Sequence, residues 1–233
     1  MSEVTYKVHR IGLVNVSSYL IHRPGEGILV DSGARGSEVK ILETLKKLNL
    51  EPGMLKLLIL THAHYDHAGS ARKLKELTGC KIMIHRTESH RLRKGWTPIP
   101  SGTRWKAKVI VGLGRLFARR LMKYPGAEAD LVSDELFDLK PFGFAGKVIH
   151  TPGHTFGSMV VLMDGGELIS GDTFFGLENK LHFPPFAEDR QALLRSWGAI
   201  RELKVKTIYP AHGRYFPFEN FLSEYDSAIE RYS

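Results

Sequence analysis

The chain of 233 residues carries 33 Lys and Arg against 25 Asp and Glu, a formal net charge of +8, and is 42% hydrophobic and 25% charged. That balance excludes a disordered, collagen-like or low-complexity chain, and the length suits one α/β domain over residues 1–233. A lone cysteine, Cys80, excludes a disulfide-built secreted domain. Neither a signal sequence nor an apolar run of the roughly 20 residues that span a bilayer is visible, so a soluble cytoplasmic protein is expected.

The first thirty residues alternate and turn like antiparallel strands, over 4–11, 14–21 and 27–30, and the third ends in Asp31-Ser32-Gly33. Val39, Ile41, Leu42, Leu45 and Leu48 recur at a helical period across 37–48. Pro52-Gly53 breaks it, and 56–60 reads as a buried strand. After that strand comes Thr61-His62-Ala63-His64-Tyr65-Asp66-His67-Ala68-Gly69, then a short helix over 70–77 and a strand over 81–84. Strands over 147–150, 158–163 and 167–170 follow, with His154 in the first loop and Gly171-Asp172 closing the last. A helix over 190–203, a strand over 207–210, the loop Ala211-His212-Gly213 and a helix over 218–231 complete the chain. Histidine and aspartate thus collect at strand ends, in loops that a rigid sheet would carry.

His62 and His64 are two apart, so an extended backbone points both the same way. Asp66 and His67 follow where the chain turns into a helix. Four such side chains in six residues, offering imidazole and carboxylate to Zn2+, Fe2+ or Mn2+, predict a metal site. A single histidine would more simply be satisfied by a hydrogen bond.

His-x-His-x-Asp-His after an apolar strand resembles the signature of the metallo-β-lactamase superfamily. Its further motifs stand in order over 31–213: Asp31, His154 in Thr-Pro-Gly-His-Thr-Phe-Gly-Ser, Asp172 in Ser-Gly-Asp-Thr-Phe-Phe, and His212 in Pro-Ala-His-Gly. The resemblance implies a four-layer αβ/βα sandwich, two mixed β-sheets flanked by helices, with two divalent ions at one edge. Zn2+ is favoured, with Fe or Mn as alternatives. It further implies that His62, His64 and His154 hold one ion, that Asp66, His67 and His212 hold the other, and that Asp172 bridges them. The activity implied is hydrolysis by a metal-activated hydroxide, with Asp66 orienting it and taking its proton, and Asp31 bracing a ligand from behind.

Many β-lactamases have Arg at the position of His67 and Cys at that of Asp172, which argues against β-lactam hydrolysis. The full ligand set, with Thr-Pro-Gly-His-Thr and Gly-Asp-Thr, is most similar to glyoxalase II-like (hydroxyacylglutathione hydrolase-like) thioesterases. Those enzymes add a helical glutathione-binding domain, which the 21 residues after His212 do not suggest. The function expected is cleavage of an ester, thioester or related bond in a small anionic substrate. One alternative is a persulfide dioxygenase with a single iron on residues corresponding to His62, His154 and Asp172. Another is a nucleic-acid phosphodiesterase, or a protein that binds nucleic acid or a membrane surface. Phe175 stands where lactonases often have Tyr.

The surplus charge is local. Residues 86–123 hold eleven Lys or Arg and one acid, Glu88, a net +10 that leaves about −2 elsewhere. Within this insertion 107–123 is predicted as an amphipathic helix, with Ile110, Leu113, Phe117 and Leu121 on one face and Lys108, Arg115, Arg119 and Lys123 on the other. It is expected either to pack on the domain or to form a lid that recruits an anionic, partly apolar substrate. Phe174, Phe175, Phe183 and Phe186 follow the bridging aspartate and are expected to form an apolar wall of the substrate pocket, with His182 lining the same cleft.

Overall fold

The computed structural model describes residues 6–98, 101–102, 122–177 and 180–232, with the backbone alone at 101–102, 177 and 180–182. β1 (Lys7–Gly12), β2 (Ser17–Arg23) and β3 (Glu26–Val30) form an antiparallel meander. β3 then pairs in parallel with β4 (Leu55–Ile59), β4 with β5 (Lys81–His85), and β5, past a separate β6 (Ser101–Gly102), with β7 (Leu131–Ser133). The intervening chain supplies α1 (Glu38–Lys47), α2 (Tyr65–Ala68), α3 (Ala71–Thr78) and α4 (Arg86–Lys94).

The second sheet contains β8 (Leu136–Asp138), β9 (Gly146–His150), β10 (Met159–Met163) and β11 (Glu167–Leu177), consecutive antiparallel neighbours. β12 (Lys180–His182) turns back along β11, and β13 (Phe186–Ala187) leaves the sheet to pair with β6. After α5 (Arg190–Arg201), β14 (Thr207–Gly213) joins β11 in parallel, β15 (Phe216–Pro217) forms the edge, and α6 (Phe218–Tyr232) ends the chain.

Strand alternation explains the layers. Along β2, β3 and β4 successive residues point to opposite faces. Leu20, Leu29 and Leu58 therefore meet Ile41 and Leu45 of α1 and Leu74 of α3 on the outside. Ile21, Ile28 and Leu57 face inward, where they meet Val148, Met159, Val161 and Ile169 of the second sheet. The far face of that sheet, with Val160, Leu162, Leu168 and Ile208, is covered by Leu193, Trp197 and Ile200 of α5 and Phe221 of α6. This is the four-layer sandwich that the motifs imply. The N–H of Met159 bonds to the Thr61 carbonyl (2.9 Å), stitching one sheet to the other beside the site.

Two strands run on beyond their expected ends, β11 from 170 to Leu177 and β14 from 210 to Gly213, so Asp172 and His212 lie within strands. α4, β7 and β8 were not anticipated. The amphipathic helix expected over 107–123 lies outside the described residues except at 122–123, which are not helical. Among the described residues no helix is long and apolar enough to cross a membrane.

Candidate metal centre

Asp31 leaves β3 in a left-handed conformation (φ 61°), which a short polar side chain tolerates. The turn aims its carboxylate at Thr61 and His67. Oδ1 accepts from the Thr61 N–H (2.8 Å), and Oδ2 accepts from the Thr61 hydroxyl (2.9 Å) and lies 2.8 Å from His67 Nδ1. β4 delivers His62 and His64 on an extended loop, and α2 turns Asp66 and His67 back toward them. His154 comes from the loop between β9 and β10. Asp172 sits where β11 shifts register against β14. The shift begins at Gly171 (φ +51°), where a Cβ would strike the Thr61 side chain, so glycine allows β11 to pass this close to the histidine loop.

The sequence-predicted ligands converge as two clusters. His62, His64, His154 and Asp172 form one, and Asp66, His67 and His212 the other, the ligand atoms of each lying within 4.8 Å of one another. In the first, His64 Nδ1 is 2.9 Å from His62 Nε2 and 3.1 Å from His154 Nε2. Asp172 faces both: Oδ2 is 3.4 Å from His154 Nε2, while Oδ1 is 3.2 Å from His67 Nε2 and 3.4 Å from His212 Nε2. Asp66 Oδ2 approaches His212 Nε2 at 3.6 Å.

Hydrogen bonds on the far side of three rings fix their tautomers. A carbonyl can only accept, so His154 Nδ1–H donates to Phe186 O (2.9 Å) and His212 Nδ1–H to Asn15 O (2.7 Å). His67 Nδ1–H likewise donates to the Asp31 carboxylate. In the neutral rings each Nε2 then presents a lone pair to the oxygens of Asp172. His67 Nε2 and Asp172 Oδ1 are buried yet make no hydrogen bond, despite their 3.2 Å separation. Lone pairs converging on a carboxylate in a buried site require a cation, and imidazole with carboxylate is the donor set of a first-row divalent ion. Separations near 3 Å between donor atoms are those of ligands about 2.0–2.2 Å from a shared ion.

The electrostatics agree. Burial, reinforced by neighbouring imidazoles, holds His62 and His64 well below the usual imidazole range, so both keep a lone pair. Burial alone would raise the Asp172 carboxyl, but His212, His67 and His154 outweigh it and hold it far down. Burial also opposes charge on His67, yet Asp172 and Asp31 raise its pKa well above normal. The centre is a place built for positive charge.

Residues 11–212 match the family model described as the metallo-beta-lactamase superfamily. The chain belongs to this superfamily. As a superfamily member it is similar to a probable metallo-hydrolase, YflN, of Bacillus subtilis, at 27% identity over 99% of this chain and 93% of that protein. It is also similar to a probable metallo-hydrolase of Methanocaldococcus jannaschii, at 28% identity over 84% of this chain and 87% of the other. Among solved structures, the BLEG-1 B3 metallo-beta-lactamase superposes with a TM-score of 0.70 at 22% identity, covering 94% of this chain and 97% of that one. This last likeness is one of fold.

A cavity of about 290 Å³ opens beside the two clusters, lined by His64, Asp66, His154, Asp172 and His212 and by Tyr65, Thr97, Met122, Phe175 and Phe186. Of the residues expected to line it, Phe175 and Phe186 do, Phe175 stacked on the His212 ring with centroids 4.8 Å apart, while Phe183 lies in the core beside Trp197. Phe174 does not. It is completely buried on the opposite face of β11, stacked on Trp197 (5.0 Å), because neighbours in a strand point opposite ways. His182 pairs with Phe175 along the backbone, and its side chain lies outside the described residues. Sequence reasoning missed Tyr65, Thr97, Met122 and the carbonyls of Asn15 and Phe186. A carbonyl carries no sequence signal, Tyr65 occupies a variable position of the histidine motif, and Thr97 and Met122 stand in no motif.

Proposed function

We propose that the chain is a hydrolase with two divalent ions, cleaving a small ester or thioester. One observation carries the reading: the two oxygens of Asp172 face separate clusters, Oδ2 toward His154 and Oδ1 toward His67 and His212. A one-iron dioxygenase would use the first cluster and leave Asp66, His67 and His212 converging without a task. His62, His64, His154 and Asp172 would hold one ion, and Asp66, His67, His212 and the other oxygen of Asp172 the second, with Zn2+ favoured.

When bound, the pair would supply a water of lowered pKa and a Lewis acid for the scissile carbonyl. The chain does the rest. Asp66, on the cavity wall and partly exposed, accepts the proton of the attacking water and returns it to the leaving group. Asp31 keeps His67 in the tautomer that leaves Nε2 bare. Tyr65, Met122, Phe175 and Phe186 form an apolar wall that suits an acyl or alkyl group and excludes water. At about 290 Å³ the cavity is at the small end of ligand pockets. Thr97 and Met122 belong to the basic segment 86–123, which supports recruitment of an acidic group on the substrate. The likeness of Thr-Pro-Gly-His-Thr and Gly-Asp-Thr to glyoxalase II-like enzymes favours a thioester.

Metal analysis of the purified protein, with a panel of thioesters, esters, lactones and phosphodiesters, tests this. Two zinc ions per chain and chelator-sensitive cleavage of an apolar thioester or ester are expected, with Asp172→Ala inactive. One iron per chain and oxygen uptake with persulfide would replace this reading with the dioxygenase.

A further inference from the structure

Part of the first ligand cluster is held from outside by a segment that contributes no ligand. Ala63, between His62 and His64, has both backbone groups engaged by residues of 86–124. Its N–H donates to Glu88 Oε2 (3.1 Å), and its carbonyl accepts from Thr97 Oγ1 (2.6 Å) and the Tyr124 hydroxyl (2.7 Å). Glu88, in the first turn of α4, is completely buried. A buried carboxylate needs a counter-charge, and Arg91 provides it. Its Nη1 lies 3.0 Å from Glu88 Oε1 and 2.7 Å from Glu188 Oε1.

Glu188 extends the chain of contacts to the third imidazole. Its Oε2 accepts from the Phe156 N–H (2.7 Å), and its own N–H donates to the His154 carbonyl (3.0 Å). The approach of α4 to this loop depends on Gly157, because a Cβ there would strike the side chains of Thr87 and Glu88. One carboxylate–guanidinium–carboxylate row therefore joins the loop of His62 and His64 to the loop of His154. These are the three rings whose nitrogens lie 2.9 and 3.1 Å apart.

We propose that Glu88, Arg91 and Glu188 are positioning residues that fix the spacing of these three imidazoles and thereby set the affinity of the ion they hold. The inference rests on the two-ion reading above. It gives the basic segment's first helix a task distinct from substrate recruitment, as the brace of half the metal centre. Outer contacts of this kind change metal affinity by about 10–100-fold when removed.

The experiment compares wild type with Arg91→Met and Glu188→Gln, whose side chains are partly exposed. Stepwise Zn2+ affinity is measured by competition with a chromophoric chelator. The visible spectrum at one equivalent of Co2+ reports ligand geometry, and the melting temperature of the metal-free protein reports folding. In both variants one of the two ions should bind about 10–100-fold more weakly, with a changed Co2+ spectrum. The other ion and the metal-free melting temperature should stay near wild type, and Arg91→Lys should restore part of the lost affinity. If either variant melts low, Glu88→Gln, which keeps shape and an acceptor for Ala63, is expected to show the same selective weakening. Two wild-type affinities and an unchanged spectrum in the folded variants would overturn the proposal alone. Failure of the wild type to take up any ion would overturn it together with the two-ion reading.

Discussion

Asp31 illustrates how one side chain decides the chemistry of another far along the sequence. Its carboxylate can only accept, so in the neutral ring the hydrogen of His67 sits on Nδ1 and Nε2 turns its lone pair toward Asp172. In Asp31→Asn the left-handed backbone is tolerated and the amide oxygen can still take the Thr61 N–H. The amide NH2 would then face His67 Nδ1 and drive the ring into its other tautomer, protonated at Nε2. One ion per chain instead of two, and turnover reduced by at least about 10–100-fold, is the expected result, with melting little changed. Two ions and normal turnover would refute the bracing role. The ligands were legible in the sequence because each stands in a short motif at a strand end. Glu88, Glu188, Thr97 and Tyr124 were not, because charged or polar residues in helices and loops ordinarily face solvent, and only the fold brings these four around Ala63 and His154.

At the level of elements, β11 held the main surprise. The apolar run stops at Ser170, but the strand continues through the register shift at Gly171 and alternates again beyond it.

 Alternation then assigns Phe175 to the cavity and Phe174 to the core, a division that two adjacent phenylalanines do not disclose in sequence. The short strands β6, β7, β8 and β13, of two or three residues each, carry too few residues for a period to show. α5 secures β11 from behind: the Trp197 indole stacks on Phe174, and its Nε1–H donates to the Thr173 carbonyl (2.8 Å), next to Asp172. Trp197→Phe keeps most of the packing but leaves that buried carbonyl unpaired, a cost of about 1–3 kcal/mol. Trp197→Ala adds a cavity and should cost about 3–5 kcal/mol. Chemical denaturation of the two variants checks the order, and wild-type stability in Trp197→Phe would show that the hydrogen bond contributes nothing.

Across the whole molecule, a second histidine pair joins the sheets away from the metal centre. His85 at the end of β5 stacks on His150 at the end of β9, with ring centroids 4.0 Å apart. His85 Nε2–H donates to the Asp134 carbonyl (2.6 Å), Nδ1 accepts from the Thr87 N–H (3.3 Å), and His150 Nε2–H donates to the Phe156 carbonyl (2.8 Å). Burial, and then the neighbouring His150, lower the His85 pKa below its ordinary 6.5. The unfolded chain therefore binds the proton more readily, and stability rises with pH through this range. The contribution is complete above about pH 6.5 and is lost as pH falls toward the folded-state value. His85→Asn retains an acceptor for the helix N-terminus and removes the titration. The wild type's margin in melting temperature over this variant should shrink between about pH 7 and pH 5, whereas a constant margin would exclude the effect.

The two ligand clusters draw on both sheets: β4 and α2 bring His62, His64, Asp66 and His67, braced by Asp31 after β3, while the second sheet and its loops bring His154, Asp172 and His212. Ions seated among them would act as rivets through the sandwich. A ligand that recognises only the closed arrangement adds its binding free energy to closure. A chelator should therefore loosen the seam as well as stop turnover. The amide of Met159, bonded across that seam to Thr61, would exchange its hydrogen faster as free metal falls, making mechanical cohesion a function of metal supply.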